Sequence, residues 1–200
     1  MRIIAGTLRG RKLHVPMDEK LRPMADRARA ALFSILGNAV PDRPFFDVFA
    51  GSGAVGLEGL SRGASRVTFV ERDRGTVATL HQHLERFRVA DQVKVIQADA
   101  YRWGTMGALP ADEPANVFLG PPYQEFDKRY DAVERLIQNL GERLAPGSVL
   151  VVQSDGDFPV DLLPKFDWDV RTYGRTQLAI WTKPVAPAAE PEPALEHGTA

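Results

Sequence analysis

The sequence predicts an α/β fold of the Rossmann-like type, a seven-stranded, mostly parallel sheet flanked by helices and closed by an antiparallel last strand. Three observations carry this. Short apolar runs alternate with longer amphipathic ones from residue 45 onward. A glycine-rich turn follows the first apolar run. The alternation ends in two strand-like runs around Gly174-Arg175, the pattern of a hairpin.

Residues 45–49 form the first predicted strand, and 54–62 a helix stopped by Gly63. Strands at 66–70, 93–97, 115–119 and 148–153 follow, with helices at 76–88 and 130–144. In the first of these helices Val77, Leu80, Leu84 and Phe87 recur at helical spacing. In the second, Val133, Leu136, Ile137 and Leu140 share a face. The runs 168–173 and 177–182 make the closing hairpin. Ahead of the sheet, 3–15 reads as an extended basic segment and 25–36 as a helix. The organisation expected is a basic extension over 1–40, one domain over 41–183, and a disordered tail over 184–200, rich in Pro, Ala and Glu.

Composition sets the bounds. The chain has 200 residues, 44% of them hydrophobic and 26% charged, as in an ordinary globular domain. The absence of cysteine excludes a disulfide framework, a zinc ribbon and a thiol nucleophile. No secretory h-region opens the sequence, and no apolar run approaches the roughly 20 residues that span a bilayer, so a cytoplasmic monomer is expected. The net charge of −1 is unevenly spread. Residues 1–35 carry Arg2, Arg9, Arg11, Lys12, Lys20, Arg22, Arg27 and Arg29 against only Asp18, Glu19 and Asp26. A basic arm on an acidic body points to a polyanionic partner.

Ligands of doubly wound sheets bind beyond the carboxyl ends of the strands. Four constellations fall at such ends. The first is Asp47-Val48-Phe49-Ala50-Gly51-Ser52-Gly53-Ala54-Val55-Gly56, where glycines at G-x-G-x-x-G spacing let the backbone turn sharply and approach a ligand. The second is Glu71, twenty residues after Gly51, with Arg72 beside it. An ionised carboxylate there accepts from both hydroxyls of a ribose. The third is Asp99-Ala100, with two readings: Asp99 accepts from an adenine amine and Ala100 supplies a backbone donor, or Asp99 caps a helix. These three favour an adenosine cofactor, and the chain has little room for the second half of a nicotinamide dinucleotide site. The fourth is Leu119-Gly120-Pro121-Pro122-Tyr123.

With these motifs in hand, the chain resembles the RsmD-type small-subunit ribosomal RNA guanine-N2 methyltransferases over roughly residues 1–182. The shared elements include Arg2-Ile3-Ile4-Ala5-Gly6, Arg9-Gly10-Arg11-Lys12-Leu13, Leu21-Arg22-Pro23, Asp47 through Gly56, Phe69-Val70-Glu71, Asp99-Ala100 and Pro121-Pro122-Tyr123. The resemblance implies a class I methyltransferase fold with S-adenosylmethionine as donor. Asp47, Gly51, Ser52, Gly53, Glu71, Arg72, Asp99 and Ala100 would hold that cofactor. It implies a guanine exocyclic amine of 16S ribosomal RNA, free or in an assembling small subunit, as acceptor. Residues 120–123 would hold the flipped base, by the Pro121 carbonyl and the Tyr123 ring. Arg9, Arg11, Lys12, Arg22 and Arg27 would grip phosphates.

Two departures stand out. Met24 replaces a threonine of the family pattern, and Gly120 replaces the acidic residue that opens Asp-Pro-Pro-Tyr or Asp-Pro-Pro-Phe. Gly120 leaves two expectations open: an enzyme, or a protein of the same fold that holds cofactor and RNA without methyl transfer. Glu125 and Asp127, a few residues on, are the carboxylates considered as substitutes for the missing acceptor. No metal site is expected, since His81 and His83 do not share a helical face and all four histidines read as exposed. Trp103, Trp168 and Trp181 read as packing residues.

Overall fold

Seven strands form one sheet in the order β3-β2-β1-β4-β5-β7-β6 in the computed structural model, which describes residues 1–14, 24–106 and 109–185. Arg22, which the resemblance assigns to RNA, and nearly all of the 184–200 tail lie outside the described residues. The strands are β1 (Pro44–Val48), β2 (Arg66–Glu71), β3 (Val93–Gln97), β4 (Asn116–Leu119), β5 (Val149–Asp155), β6 (Asp169–Tyr173) and β7 (Thr176–Thr182). β1 through β5 are mutually parallel, and β7 runs antiparallel to both β5 and β6.

Strand alternation sends side chains into two cores. One face holds Phe45, Phe69, Phe118 and Val151 and is covered by α1 (Asp26–Leu36), α2 (Ala54–Ser61) and α3 (Arg74–Phe87). The other holds Phe46, Val70, Leu119 and Val152 beneath α4 (Ala100–Met106), α5 (Tyr123–Lys128) and α6 (Tyr130–Arg143). β1 is buried along its whole length because it lies between two parallel neighbours with helices on both sides. The order reverses between β1 and β4, and a cleft opens at that switch point.

The N-terminal segment differs from its prediction. Instead of one extended run, residues 1–13 fold back as a small hairpin. The Ile3 N–H donates to the Arg11 carbonyl (3.0 Å), Leu13 N–H donates to Met1 (3.0 Å), and Arg2 bridges Lys12. Ile3, Leu8 and Leu13 enter the same core as α1 to α3. The turn is pinned to α2: Glu58 accepts from the Ile4 and Ala5 N–H groups (2.7 and 3.0 Å), and Ser61 Oγ accepts from Leu8 N–H.

The sequence reading offers α4 only as the helix that Asp99 would cap, and does not offer α5. They have seven and six residues, too short for apolar periodicity to register. Trp103 packs on Phe46, and Trp181 stacks on Phe166, which also meets Trp168. Among the described residues no helix is long and apolar enough to cross a membrane.

Candidate active site

The cleft at the strand tips has a volume of 640 Å³ and brings most of the predicted residues together. One wall is the glycine loop after β1. Gly53 caps α2 with φ +75°, a conformation that favours glycine, and a Cβ there would lie 2.4 Å from the Leu80 Cδ1 methyl, which would have to shift. Just before the loop, Phe49 holds φ +64°, a strained value for a bulky residue. Its ring meets Tyr101 edge-on at 5.6 Å.

Glu71 ties this loop to β2. Its Oε2 accepts from Gly51 N–H and its Oε1 from Asp73 N–H, both at 2.9 Å. An ionised carboxylate offers about four lone-pair sites, so two remain for a ligand. Asp47 lies below the loop and is almost fully buried, accepting from Gly56 N–H at 2.8 Å. Burial pushes its carboxyl up to about 7; the Gly56 N–H opposes this and the nearby Glu71 charge adds to it. Ser52 and the exposed Arg72 line the same cleft.

At the third site the capping geometry is present. Asp99 Oδ1 accepts from the Tyr101 and Arg102 N–H groups (3.0 and 3.2 Å), the N-terminal donors of α4. Ala98 and Ala100, on either side, line the cleft.

Gly120, Pro121, Pro122 and Tyr123, which follow β4, also line the cleft. Gly120 N–H donates to the Val48 carbonyl at 3.1 Å, which keeps the β4 tip beside β1. Of the two carboxylates considered as substitutes, Glu125 is committed elsewhere. It accepts from Tyr101 Oη at 2.9 Å, with Arg129 and Arg72 at 3.6 and 3.8 Å. Burial and this carboxylate hold the Tyr101 hydroxyl well above its ordinary pKa. Asp127 borders the cleft from the solvent-exposed side of α5.

Gln153, Asp155 and Arg175 also line the cleft, and the sequence reading did not single them out. Gln153 Nε2 donates to Tyr123 Oη at 3.2 Å, and Arg175 pairs with Asp155 at 3.3 Å. The only signal for them was their place at the tips of β5 and β7, next to a candidate site.

Of the basic residues assigned to RNA, Arg9, Arg11, Lys12 and Arg27 are exposed. Arg11 leans on the end of α3, donating to the Arg86 carbonyl with its guanidinium 5.5 Å from the Phe87 ring centre. Arg29, expected to extend this patch, instead has 0% exposure and lies beneath the hairpin. His83 also departs from expectation. It is 2% exposed, and its Nε2 accepts from His14 N–H at 3.0 Å.

This sheet order, with its glycine loop, acidic β2 tip and strand-tip cleft, defines a class I S-adenosylmethionine-dependent methyltransferase fold. The chain belongs to the family described as conserved hypothetical protein 95, whose model matches residues 1–182. It is 35% identical over 164 residues to the ribosomal RNA small subunit methyltransferase D of Haemophilus influenzae, covering 80% of this chain and 81% of that one. The solved structure of the Escherichia coli protein yhhF superposes with a TM-score of 0.73 at 32% identity, covering 92% of this chain and 98% of that one. A Salinibacter ruber RNA methyltransferase, solved in complex with S-adenosyl-L-homocysteine, shares the fold at 18% identity and a TM-score of 0.60. That match covers 84% of this chain and 98% of that one.

Proposed function

We propose that this protein methylates the exocyclic N2 amine of a guanine in 16S ribosomal RNA, using S-adenosylmethionine, and acts as a cytoplasmic monomer. The observation that carries the reading is one cleft lined from adjacent strand tips. Gly51 and Glu71, after β1 and at the end of β2, and Gly120 through Tyr123, after β4, all line it, and the exposed basic hairpin belongs to the same body. The family and its ribosomal RNA methyltransferase relatives support the substrate class.

The residues present suit the cofactor. The cleft volume is in the range of small-molecule sites. Glu71 keeps acceptor capacity for two ribose hydroxyls, and the glycine loop leaves backbone where side chains would obstruct. Arg72 borders the cleft, Ala100 can offer backbone, and Asp99 keeps its second oxygen beside its capping role. Bound there, S-adenosylmethionine supplies a methyl group activated on a cationic sulfur.

This chain's own contribution at Gly120 through Tyr123 is positioning. A guanine amine is a weak nucleophile because its lone pair is delocalised into the ring. The Pro121 carbonyl accepts one amine N–H, and the Tyr123 ring stacks on the base once it has left its helix. Arg9, Arg11, Lys12, Arg22 and Arg27 hold the backbone without reading sequence. The second reading, cofactor and RNA binding without transfer, is favoured by one feature, the missing acidic side chain at Gly120.

The test is methyl transfer from labelled S-adenosylmethionine to unmodified 30S particles and to naked 16S RNA, with calorimetry of the donor and its demethylated product. Transfer to either RNA supports the enzyme. Binding of both ligands without transfer supports the second reading. No association with either donor or product overturns both.

A further inference from the structure

The space that a side chain at position 120 would use is already occupied. A Cβ on Gly120 would lie 2.8 Å from Cε1 and 3.3 Å from Cζ of Phe118, whose ring is only 3% exposed. A side-chain acceptor at this point of the cleft would therefore have to reach it from another position.

Strand register indicates where. Leu119 of β4 stands beside Val152 of β5. Continuing that register one residue past the end of β4 brings Gly120 level with Gln153. Phe118 and Val151 enter the same core, so alternation puts positions 120 and 153 on that same face of the sheet. Gln153 is 6% exposed and lines the cleft. Its Nε2 donates to Tyr123 Oη, which engages the donor end of the amide and leaves Oε1 as an acceptor. The carboxylates nearby are less suited. Glu125 is held by Tyr101, Arg72 and Arg129; Asp155 accepts from Gly156 N–H and pairs with Arg175; Asp127 is solvent-exposed.

We propose that Gln153 Oε1, oriented by Tyr123 Oη, is the side-chain acceptor for the target amine in place of a carboxylate at position 120. This rests on the guanine-amine reading above. The amine has two hydrogens. Pro121 accepts one and Gln153 the other, which turns the nitrogen lone pair toward the methyl carbon. The N–C bond forms from that pair as the S–C bond breaks, with its electrons kept by sulfur. The nitrogen, now cationic, gives a proton to water, because a neutral amide oxygen is no base. Tyr123 thus has two tasks, stacking on the base and fixing the amide.

The experiment uses the full chain and its variants Q153L, Q153E and D127N, each checked for folding by thermal unfolding. Methyl transfer to 30S particles and naked 16S RNA is followed, with S-adenosylhomocysteine affinity measured by calorimetry. Q153L is expected to lower kcat by roughly 100-fold, the scale of removing one oriented hydrogen-bonding partner, with cofactor affinity and the KM for RNA unchanged. Q153E, close to isosteric, should stay within about tenfold of the parent and gain a rate that rises as its carboxylate ionises; the parent should show no such rise. A binding readout is independent of turnover. With S-adenosylhomocysteine present, guanosine monophosphate should shift the Gln153 side-chain amide NMR signals, and inosine monophosphate, which lacks the amine, should not. Unchanged kcat in Q153L overturns the proposal, as does a comparable loss in D127N, or equal or absent shifts with the two nucleotides. Cofactor and RNA binding without transfer by the parent also overturns it. No cofactor binding at all marks failure of the proposed function itself.

Discussion

Arg29 and Glu58 meet in the interior with no solvent exposure on either side chain, Arg29 Nε lying 3.7 Å from Glu58 Oε2. Both have further partners. Arg29 donates to the Arg2 and Met24 carbonyls and to Asp26, while Glu58 accepts from Ile4, Ala5 and Arg62. The pair therefore joins α1, α2 and the basic hairpin. Removing one member leaves the other charge buried, which typically costs about 3–5 kcal/mol. Glu58→Leu is expected to lose stability on that scale in urea unfolding. Trypsin should also cut it faster than the parent at Arg9, Arg11 and Lys12. Unchanged cleavage at these sites would mean that the hairpin is held by its apolar contacts alone.

Asp47 gives the fold a pH dependence of definite sign. Its folded-state pKa, raised from 3.8 to about 7, makes the folded chain the better proton binder. Its contribution is fully present below 3.8, shrinks as pH rises, and is gone above about 7, where a charge is buried. The shift corresponds to a swing on the order of 4 kcal/mol. Asp47→Asn keeps an acceptor for Gly56 N–H and does not titrate. Its stability relative to the parent should grow between pH 5 and pH 8 in denaturant titrations, and a constant difference would contradict the assignment.

His83 acts in the opposite direction. Burial, first, holds its pKa below the ordinary histidine value; Ser52 and His14 backbone groups oppose this, and Arg86 adds to it. The neutral ring accepts from His14 N–H, and a protonated one cannot. Its contribution is present above the unfolded value of 6.5 and is lost as pH falls through the lower folded value. Hydrogen exchange should show His14 N–H less protected at acid pH than at pH 7.5. His83→Gln, with a non-titrating acceptor, should abolish that difference.

Arg9 and Arg11 are exposed on the hairpin and are not among the residues that line the cleft. Reversing both to Glu is expected to weaken 16S RNA binding at least about tenfold and to flatten its salt dependence, as fewer phosphate counterions are released. Cofactor affinity should not change. Equal RNA affinity in filter binding would remove the hairpin from the interface.

How much of this could be read in advance followed the range of each signal. The alternation of strands and helices is local, so all seven strands, the closing hairpin and the glycine loop were legible within a residue or two. Glu71 was legible because its distance from Gly51 is a matter of counting. The fates of Arg29 and His83 were not, because burial of a charged or polar residue depends on partners far away in the chain: Glu58 for one, His14 for the other. Gln153 became visible only through the β4–β5 register, which, continued one residue past Leu119 and Val152, brings it level with the residue whose side chain is missing.

That missing side chain leads to the last prediction. Gly120→Asp would restore the family's carboxylate, but its Cβ meets the Phe118 ring at 2.8 Å. Phe118 sits in the core shared with Phe45 and Val151, so it cannot simply swing away. Overpacking of this kind costs about 1–3 kcal/mol. The single variant should therefore unfold at a lower temperature and gain little turnover, since a displaced ring misplaces the new carboxylate too. Phe118→Leu removes the ring edge, and Gly120→Asp added to it should raise kcat at least about tenfold over Phe118→Leu alone. In a double-mutant cycle on stability the two changes should couple favourably, as contacting residues do. Additive stabilities would show that Phe118 yields freely, and the absence of an acidic residue at 120 would then have nothing to do with space.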